Sequence, residues 1–156
     1  MSFTPSHVHI ATDHAAFELK QYLKEQLLAA GYDVVDHGAT EYDPEDDYPK
    51  PCITCARAVV AEPGSLGIVC GGSGNGEQIA ANKVDGIRAA LVYSDETAKL
   101  AREHNDANVI SLGGRMQPVE EAWKWVQTFL STPFSGAERH QRRIDQLAAW
   151  ENTGSI

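Results

Sequence analysis

A glycine-rich turn followed by a carboxylate is the part of this sequence best suited to chemistry. Residues 71–78 read GGSGNGEQ and come directly after the apolar run LGIVC. A turn of this kind at the start of a helix presents successive backbone N–H groups, which stabilise negative charge on an oxygen placed there. Glu77, in the first turn of that helix, could act as a general base beside this oxyanion hole. Together they could remove a proton next to a carbonyl and hold the resulting enediolate.

The same turn fits the common nucleotide-binding loops poorly. A dinucleotide fingerprint follows the first strand and has an acidic residue about 20 positions on, whereas this loop follows the third predicted strand and Thr97 stands at that distance. A Walker A loop needs Lys and then Ser or Thr, where this sequence has Glu-Gln. NAD and ATP are therefore the weaker alternatives. Taken alone, Glu77 could also be only a carboxylate favoured by the helix dipole, which would lower its pKa unless burial raises it.

The apolar pattern predicts the elements that position these groups. Short β-rich runs alternate with longer segments of helical period, and the runs are HVHIAT, YDVVDHG, LGIVCGG, IRAALVY and NVISLGG. This order predicts a parallel sheet of about five strands with helices on both faces, a doubly wound α/β sandwich. We interpret residues 1–156 as a single domain that ends in a basic helix from about 137 to 151. The acidic stretch EYDPEDDYP is interpreted as an exposed loop.

In open α/β sheets, ligands bind beyond the carboxyl ends of the strands. Polar groups follow most of the predicted strands: Asp13-His14, the glycine-rich turn, Ser94-Asp95 and Gly113-Gly114-Arg115. His104 and Asn105 end the helix before the last strand, where they could lean over the same edge. The residues that we expect to gather at this edge are Asp13, His14, Ser73, Glu77, His104 and Arg115.

The overall charge argues against some partners and draws attention to one basic stretch. The chain of 156 residues has a net charge of -9, which argues against nucleic acid or an anionic membrane as a partner. Against this background, ERHQRR at 138–143 concentrates positive charge. These residues could be a solvated helix face with a few ion pairs, which charge alone favours, or a local site for an anionic small molecule.

The remaining composition is that of a cytoplasmic protein. No apolar stretch approaches the ~20 residues of a membrane span, and the start MSFTPSHVHIATDH lacks the pattern of a signal peptide. Three cysteines, Cys52, Cys55 and Cys70, show neither the spacing of a disulfide framework nor a second pair that would complete a zinc site. We expect structural thiols and no metal.

Several motifs in order resemble one enzyme family. The segments ATDHAAFELK, DDYP, GGSGNGEQIAANKV, AREHNDANVISLGGR and RHQRRID, from about His7 to Ala149, resemble the ribose-5-phosphate isomerase B family, in a branch that looks actinobacterial. The resemblance implies an aldose-ketose isomerase of the pentose phosphate pathway. It would interconvert D-ribose 5-phosphate and D-ribulose 5-phosphate through ring opening and a cis-enediolate, without metal or organic cofactor. Related members act on galactose 6-phosphate and allose 6-phosphate, so the carbon number of the sugar stays open.

The resemblance also implies a role for each matching residue. Glu77 would be the base, His104 would open the furanose ring, and Asp13 and Asn105 would bind the sugar. The enediolate oxygen would be held by the turn Gly71, Gly72, Ser73, Gly74, Asn75 and Gly76, in which Ser73 also hydrogen-bonds nearby. The anion-binding set would be His14, Arg115, Arg139 and Arg143, the last two from the partner subunit of a homodimer or tetramer, with His140 and Tyr48 lining the pocket.

One departure from the family concerns the base. Another branch uses a cysteine in a C-G-T-G-x-G loop, and that position is Gly71 here, whereas Cys70 lies one residue upstream. The alternating pleat should point Cys70 the other way, so we interpret it as a structural thiol. A sugar-phosphate-binding regulator without the chemistry is the alternative function, although such a protein would need the arginines and not Glu77.

Overall fold

Five strands and six helices alternate along residues 3–156, the part of the chain that the computed structural model describes. The strands are β1 (Val8–Thr12), β2 (Val34–Asp36), β3 (Leu66–Gly71), β4 (Ala89–Leu91) and β5 (Val109–Gly113). The helices are α1 (Phe17–Ala29), α2 (Pro49–Ala61), α3 (Asn75–Asn82), α4 (Asp95–Asn105), α5 (Val119–Ser131) and α6 (Glu138–Thr153), with a short 3-10 turn (His14–Ala16) before α1. The predicted alternation and the basic final helix are confirmed.

All strand pairs are parallel, and the strand order is β2-β1-β3-β5-β4. Because side chains of a strand alternate between its faces, β1 sends Ile10 into one core and Ala11 into the other. The first core includes residues of α1, α4 and α5, and the second includes residues of α2 and α3. The doubly wound α/β class predicted from the sequence is confirmed.

The strand order creates a crevice at the carboxyl edge of the sheet. From β1 the chain turns outward to β2, and it then returns across β1 to form β3 on the other side. The loops that leave β1 and β3 therefore diverge, which is the arrangement that opens a binding crevice in sheets of this kind. The end of β1 pairs with β3 at Thr12↔Cys70, and the end of β3 pairs with β5 at Gly71↔Gly113. The loops that follow β1, β3 and β5 are thus neighbours at this edge.

A buried ion pair holds the segment between β2 and α2 against the sheet. The Lys20 side chain is fully buried, and its Nζ lies 2.9 Å from both carboxylate oxygens of Asp36 and donates to the Ala39 carbonyl. Burial opposes ionisation of Asp36, but hydrogen bonds from Lys20 and the Gly38 N–H outweigh it and lower the pKa of this carboxyl. The segment is therefore anchored at its start.

Helix α6 packs on the rest of the chain through few residues. His140 and Ile144 are its buried side chains, and most of the others are exposed, including the large apolar residues Leu147 and Trp150. Among residues 3–156, none of the helices has both the length and the apolar character that crossing a membrane requires.

Candidate active site

A cavity of about 450 Å³ opens at the carboxyl edge, between the loops that leave β1, β3 and β5. Its lining residues are Asp13, His14, Ala15, Tyr48, Gly72, Ser73, Gly76, Glu77, Arg115 and Met116. We call it the Glu77 cavity. The structure thus brings together all but one of the residues that the sequence predicted at this edge, and the exception is His104.

The glycine-rich turn is fixed by its neighbours with the start of α3 toward the cavity. Gly74 has a φ of 84°, in the left-handed region that favours glycine, and a Cβ there would lie 2.8 Å from Leu91 Cδ1. The Ser111 hydroxyl donates to the Gly74 carbonyl at 2.6 Å. The loop after β5 is tied to the turn because the Gly114 and Arg115 N–H groups donate to the carbonyls of Gly71 and Gly72. The backbone N–H groups are therefore held in place before any ligand arrives.

The Glu77 carboxylate lies directly against the backbone of Gly71. The side chain is only 4% exposed, and a Cβ added at Gly71 would lie 1.8 Å from Glu77 Oε1. Only glycine at position 71 leaves room for this carboxylate. The contact places Glu77 beneath the turn whose N–H groups could hold an oxyanion.

Burial raises the pKa of Glu77, whereas the sequence left the direction of this pKa shift open. Burial disfavours the charged form and raises the pKa of Glu77 above its ordinary value, the hydrogen bond from its own backbone N–H acts in the other direction, and the nearby Asp13 carboxylate adds to the rise. A raised pKa brings a carboxylate closer to the range that suits a general base near neutral pH.

Asp13 and His14 begin the loop after β1. Asp13 Oδ1 accepts the Ala15 N–H at 2.9 Å, so Asp13 caps the 3-10 turn, and its sugar-binding role stays a prediction. His14 contacts a residue that the sequence analysis missed, because Asp46 Oδ1 accepts both the His14 N–H at 2.9 Å and the Nδ1–H at 2.8 Å. The hydrogen bond to Asp46 is the main reason that the pKa of His14 is raised. The DDYP motif was the available signal for Asp46.

Two further side chains use space that glycines leave open. A Cβ at Gly76 would lie 2.7 Å from Tyr48 Cζ, and one at Gly72 would lie 3.2 Å from an Arg115 guanidinium nitrogen. Arg115 is exposed, and Tyr48 is half-buried. Both therefore flank the turn, and the pocket and anion-binding roles that the resemblance implies stay predictions.

Asp13, His14 and Asp46 are the one group within residues 3–156 whose donor atoms could hold a metal ion, because these atoms lie within 4.8 Å of one another. His14 donates two hydrogen bonds directly to Asp46, which is the geometry of an ion pair. The group therefore gives no reason to assign a metal, and the expectation of a reaction without metal or organic cofactor stays a prediction.

His104 and Asn105 lie at the opposite, amino edge of the sheet. They end α4, and the Asn105 carbonyl accepts a hydrogen bond from Arg88, which precedes β4. The prediction that they lean over the same edge as Glu77 is wrong within one chain. A helix between two parallel strands runs back along the sheet, so α4 ends where β5 begins, and β3 alone separates the two edges by roughly 20 Å.

His104 belongs to a second group of polar residues, away from the Glu77 cavity. We call this group the basic cluster, and it consists of His104, Asn105, Arg139, His140 and Arg143. The rings of His104 and His140 have centroids 4.3 Å apart, and His140 Nδ1 lies 2.7 Å from the Ser135 hydroxyl. Burial lowers the pKa of His140, the neighbouring His104, Arg139 and Arg143 lower it further, and the Glu103 carboxylate opposes them. The cluster thus places two imidazole rings beside two guanidinium groups.

Arg139 and Arg143 are one helical turn apart and exposed. Within the part of the chain that the structure describes, neither forms an ion pair with a carboxylate. Arg142 differs because it pairs with Glu138 at 2.7 Å, as expected of a solvated neighbour. Two guanidinium groups without a carboxylate partner are well suited to bind a phosphate.

Comparison with known proteins identifies the family. The family model described as Ribose/Galactose Isomerase matches residues 8–147. The chain belongs to the ribose/galactose isomerase family. It is 58% identical over 146 residues to ribose-5-phosphate isomerase B of Mycobacterium tuberculosis (strain H37Rv), with 94% of this chain and 90% of the relative covered. It is 44% identical over 144 residues to the probable ribose-5-phosphate isomerase B of Mycoplasma pneumoniae, with 92% and 94% covered.

A solved member of the ribose/galactose isomerase family has the same fold. The crystal structure of ribose-5-phosphate isomerase B from Mycoplasma genitalium with bound ribulose-5-phosphate matches with a TM-score of 0.90 at 41% identity, covering 94% of this chain and 97% of that one. The resemblance inferred from the motifs is therefore confirmed.

The structure explains why this member of the ribose/galactose isomerase family has glycine where the resemblance implies a cysteine base in another branch. A cysteine side chain at position 71 would start in the space that the Glu77 carboxylate occupies. The Glu77 carboxylate and a cysteine thiol at position 71 would therefore occupy nearly the same place in the cavity, although they come from different positions in the sequence. The present position of one leaves no room for the other.

Cys70→Ala is expected to leave most isomerase activity intact and to lower the melting temperature modestly. Cys70 is fully buried in the core that includes residues of α1 and α5, and burial raises the pKa of its thiol, as does the nearby Glu77. A protonated buried thiol cannot act as the base, while its removal leaves a small cavity. Steady-state kinetics and a thermal melt measure both effects, and a folded but inactive variant would contradict this expectation.

Proposed function

We propose that this chain is a ribose-5-phosphate isomerase, an aldose-ketose isomerase that interconverts D-ribose 5-phosphate and D-ribulose 5-phosphate in the pentose phosphate pathway. The observation that carries the proposal is the buried Glu77 carboxylate, with its raised pKa, under the N–H groups of the glycine-rich turn. The relatives named ribose-5-phosphate isomerase B and the structure with bound ribulose-5-phosphate support it at 58% and 41% identity.

The reaction moves one proton between neighbouring carbons. Glu77 takes the proton from C2 of the open-chain aldose, the C2–H electrons form a C1=C2 double bond, and negative charge moves to the C1 oxygen. N–H groups of the turn from Gly71 to Gly76 stabilise this enediolate. The proton of the C2 hydroxyl then passes to the C1 oxygen, and Glu77 returns its proton to C1 as a C2=O double bond forms, which gives the ketose. No external oxidant or reductant is needed, because one carbon is reduced as the other is oxidised.

We propose further that the complete site forms between two subunits of a homodimer. Within one chain, the Glu77 cavity and the basic cluster lie at opposite edges of the sheet, so ring opening by His104 and proton transfer by Glu77 require the basic cluster of a partner. The sequence-based expectation assigned only Arg139 and Arg143 to the partner. Because α4 ends at the amino edge, we expect the partner subunit to supply His104, Asn105 and His140 together with these arginines.

Twofold symmetry makes this arrangement self-consistent, because each subunit gives its basic cluster to the other and receives one in return. The arginines would then meet the phosphate that an acidic chain otherwise repels. A tetramer made of two such dimers would contain the same sites. The free, buried thiols of Cys52, Cys55 and Cys70 agree with the proposed cytoplasmic location.

A proton NMR time course in D2O tests the activity. Incubation with ribose 5-phosphate is expected to remove the C2 proton signal and to produce the signals of ribulose 5-phosphate. Galactose 6-phosphate and allose 6-phosphate, in parallel samples, distinguish five-carbon from six-carbon preference. If all three sugars were inert while inorganic phosphate still bound, the protein would be a sugar-phosphate-binding regulator instead.

A further inference from the structure

Asp46 lies in the acidic segment between β2 and α2, yet its carboxylate is half-buried against His14. Its side chain is 21% exposed, and one oxygen, Oδ1, accepts both the backbone N–H and the Nδ1–H of His14. Two hydrogen bonds from one residue to one oxygen fix the start of the 3-10 turn and the plane of the imidazole together.

The pair also determines which ring nitrogen is available. With Nδ1–H bound to Asp46, the other nitrogen, Nε2, has no hydrogen-bond partner within residues 3–156. His14 lines the Glu77 cavity. An imidazolium held in this way offers one N–H group and one positive charge to an anionic oxygen in the cavity.

The charges around His14 show why a positive charge on its imidazole would help the cavity to bind a sugar phosphate. The other charged groups beside it are the carboxylates of Asp13 and Glu77 and the guanidinium of Arg115, which line the Glu77 cavity, and the Glu18 carboxylate, which lines a neighbouring cavity with His14. Two carboxylates repel a sugar phosphate, so Arg115 alone leaves the cavity without net positive charge. The hydrogen bond to Asp46 raises the pKa of His14, burial opposes it, and Asp13 adds to the rise.

We propose that Asp46 is a positioning residue for the isomerase reaction, which holds the His14 imidazolium with Nε2 available to the anionic substrate. This inference rests on the proposed function. It assigns Asp46 no contact with the substrate, because it acts through His14. The alternative is that Asp46 only tethers the segment between β2 and α2, in which case its charge has no effect on His14 or on binding.

Asp46→Asn tests the proposal because the amide keeps the shape and one acceptor oxygen but loses the charge. The expected results are a rise of about fivefold in KM for ribose 5-phosphate and in Kd for inorganic phosphate, with kcat little changed, since a charge-assisted hydrogen bond becomes a neutral one. Asp47→Asn is the matched control, because it removes the same charge from the adjacent, exposed position.

The pH dependence gives a second readout. His14 must be protonated to bind the anion, so kcat/KM falls as pH rises through its pKa. Loss of the Asp46 charge lowers that pKa and moves the fall to lower pH. Nitrogen-15 NMR titration of the histidines, with the His14 signals identified by their absence in His14→Ala, measures the same shift directly and requires no turnover.

A double-mutant cycle separates the two explanations. In a His14→Ala background, Asp46→Asn is expected to leave phosphate affinity unchanged, since its effect passes through the imidazole. An equal loss of affinity in both backgrounds, or a His14 pKa that Asp46→Asn does not lower, would overturn the proposal. Phosphate binding and NMR do not depend on isomerase activity, so a failure of the proposed function would be recognised separately as inert ribose 5-phosphate.

Discussion

Glu77→Gln is expected to abolish turnover without weakening the binding of inorganic phosphate. The amide has the size of the carboxylate and fits against Gly71, but it cannot accept the C2 proton. Loss of a general base typically lowers kcat by about 10²–10⁴-fold, and in the proposed mechanism Glu77 carries the proton between the two carbons. The NMR time course in D2O measures this loss directly, because the C2 proton signal of ribose 5-phosphate then persists.

The control for this variant is Glu96→Gln. Glu96 also stands in the first turn of a helix, α4, but it is exposed and lies outside the Glu77 cavity. It therefore tests whether any first-turn carboxylate matters. A Glu77→Gln protein that exchanged the C2 proton as fast as the wild type would refute the assignment of the base.

The pKa of Glu77 adds a pH dependence with a definite sign. The base works only when it is deprotonated, and burial raises its pKa above the ordinary value of about 4.3. The acid limb of kcat/KM in the wild type should therefore lie at higher pH than that of an exposed glutamate.

The same pKa shift affects the stability of the fold. A buried carboxyl with a raised pKa stabilises the folded state more at low pH than at neutral pH. Glu77→Gln removes this cost, so its melting temperature at neutral pH should not fall, and lost activity cannot be attributed to unfolding.

Much of the Glu77 cavity could be predicted because it depends only on which residues follow parallel strands. Asp13, Glu77 and Arg115 come after β1, β3 and β5, and parallel strands all end at one edge, whatever their order across the sheet. The glycine-rich turn at the start of α3 was equally local, since only three residues separate Gly71, the end of β3, from Asn75. These predictions depended only on residues that are close to a strand end in the sequence.

The errors and omissions came from groups whose position depends on packing. His104 was placed at the wrong edge because the direction of α4 back along the sheet was ignored. Asp46 looked like part of a solvated acidic run, and its contact with His14 joins positions 32 residues apart. The sign of the Glu77 pKa shift required the close contact with Gly71 and the neighbouring Asp13, because helix position alone implies a shift in the opposite direction.

Replacing both Arg139 and Arg143 with alanine is expected to raise KM for ribose 5-phosphate by at least about a hundredfold and to weaken phosphate binding similarly. Each guanidinium has no carboxylate partner among residues 3–156, so its charge is available to the phosphate, and each lost charged hydrogen bond costs about 1.5–3 kcal/mol. Arg142→Ala is the matched control, because it removes the same charge from the same helix but breaks only the ion pair with Glu138. Steady-state kinetics and calorimetry with inorganic phosphate measure both effects.

Mixing this double variant with Glu77→Gln tests where the arginines act. In the proposed dimer, each variant alone has two defective sites. If the basic cluster of one subunit completes the Glu77 cavity of its partner, a mixed dimer contains one site with an intact Glu77 and intact arginines, and a second site with neither. Random assembly makes about half of the dimers mixed, so coexpression or joint refolding should restore about a quarter of the wild-type activity. If mixed dimers formed, as mass spectrometry can verify, and activity stayed at the level of the separate variants, the arginines would not serve the partner's site.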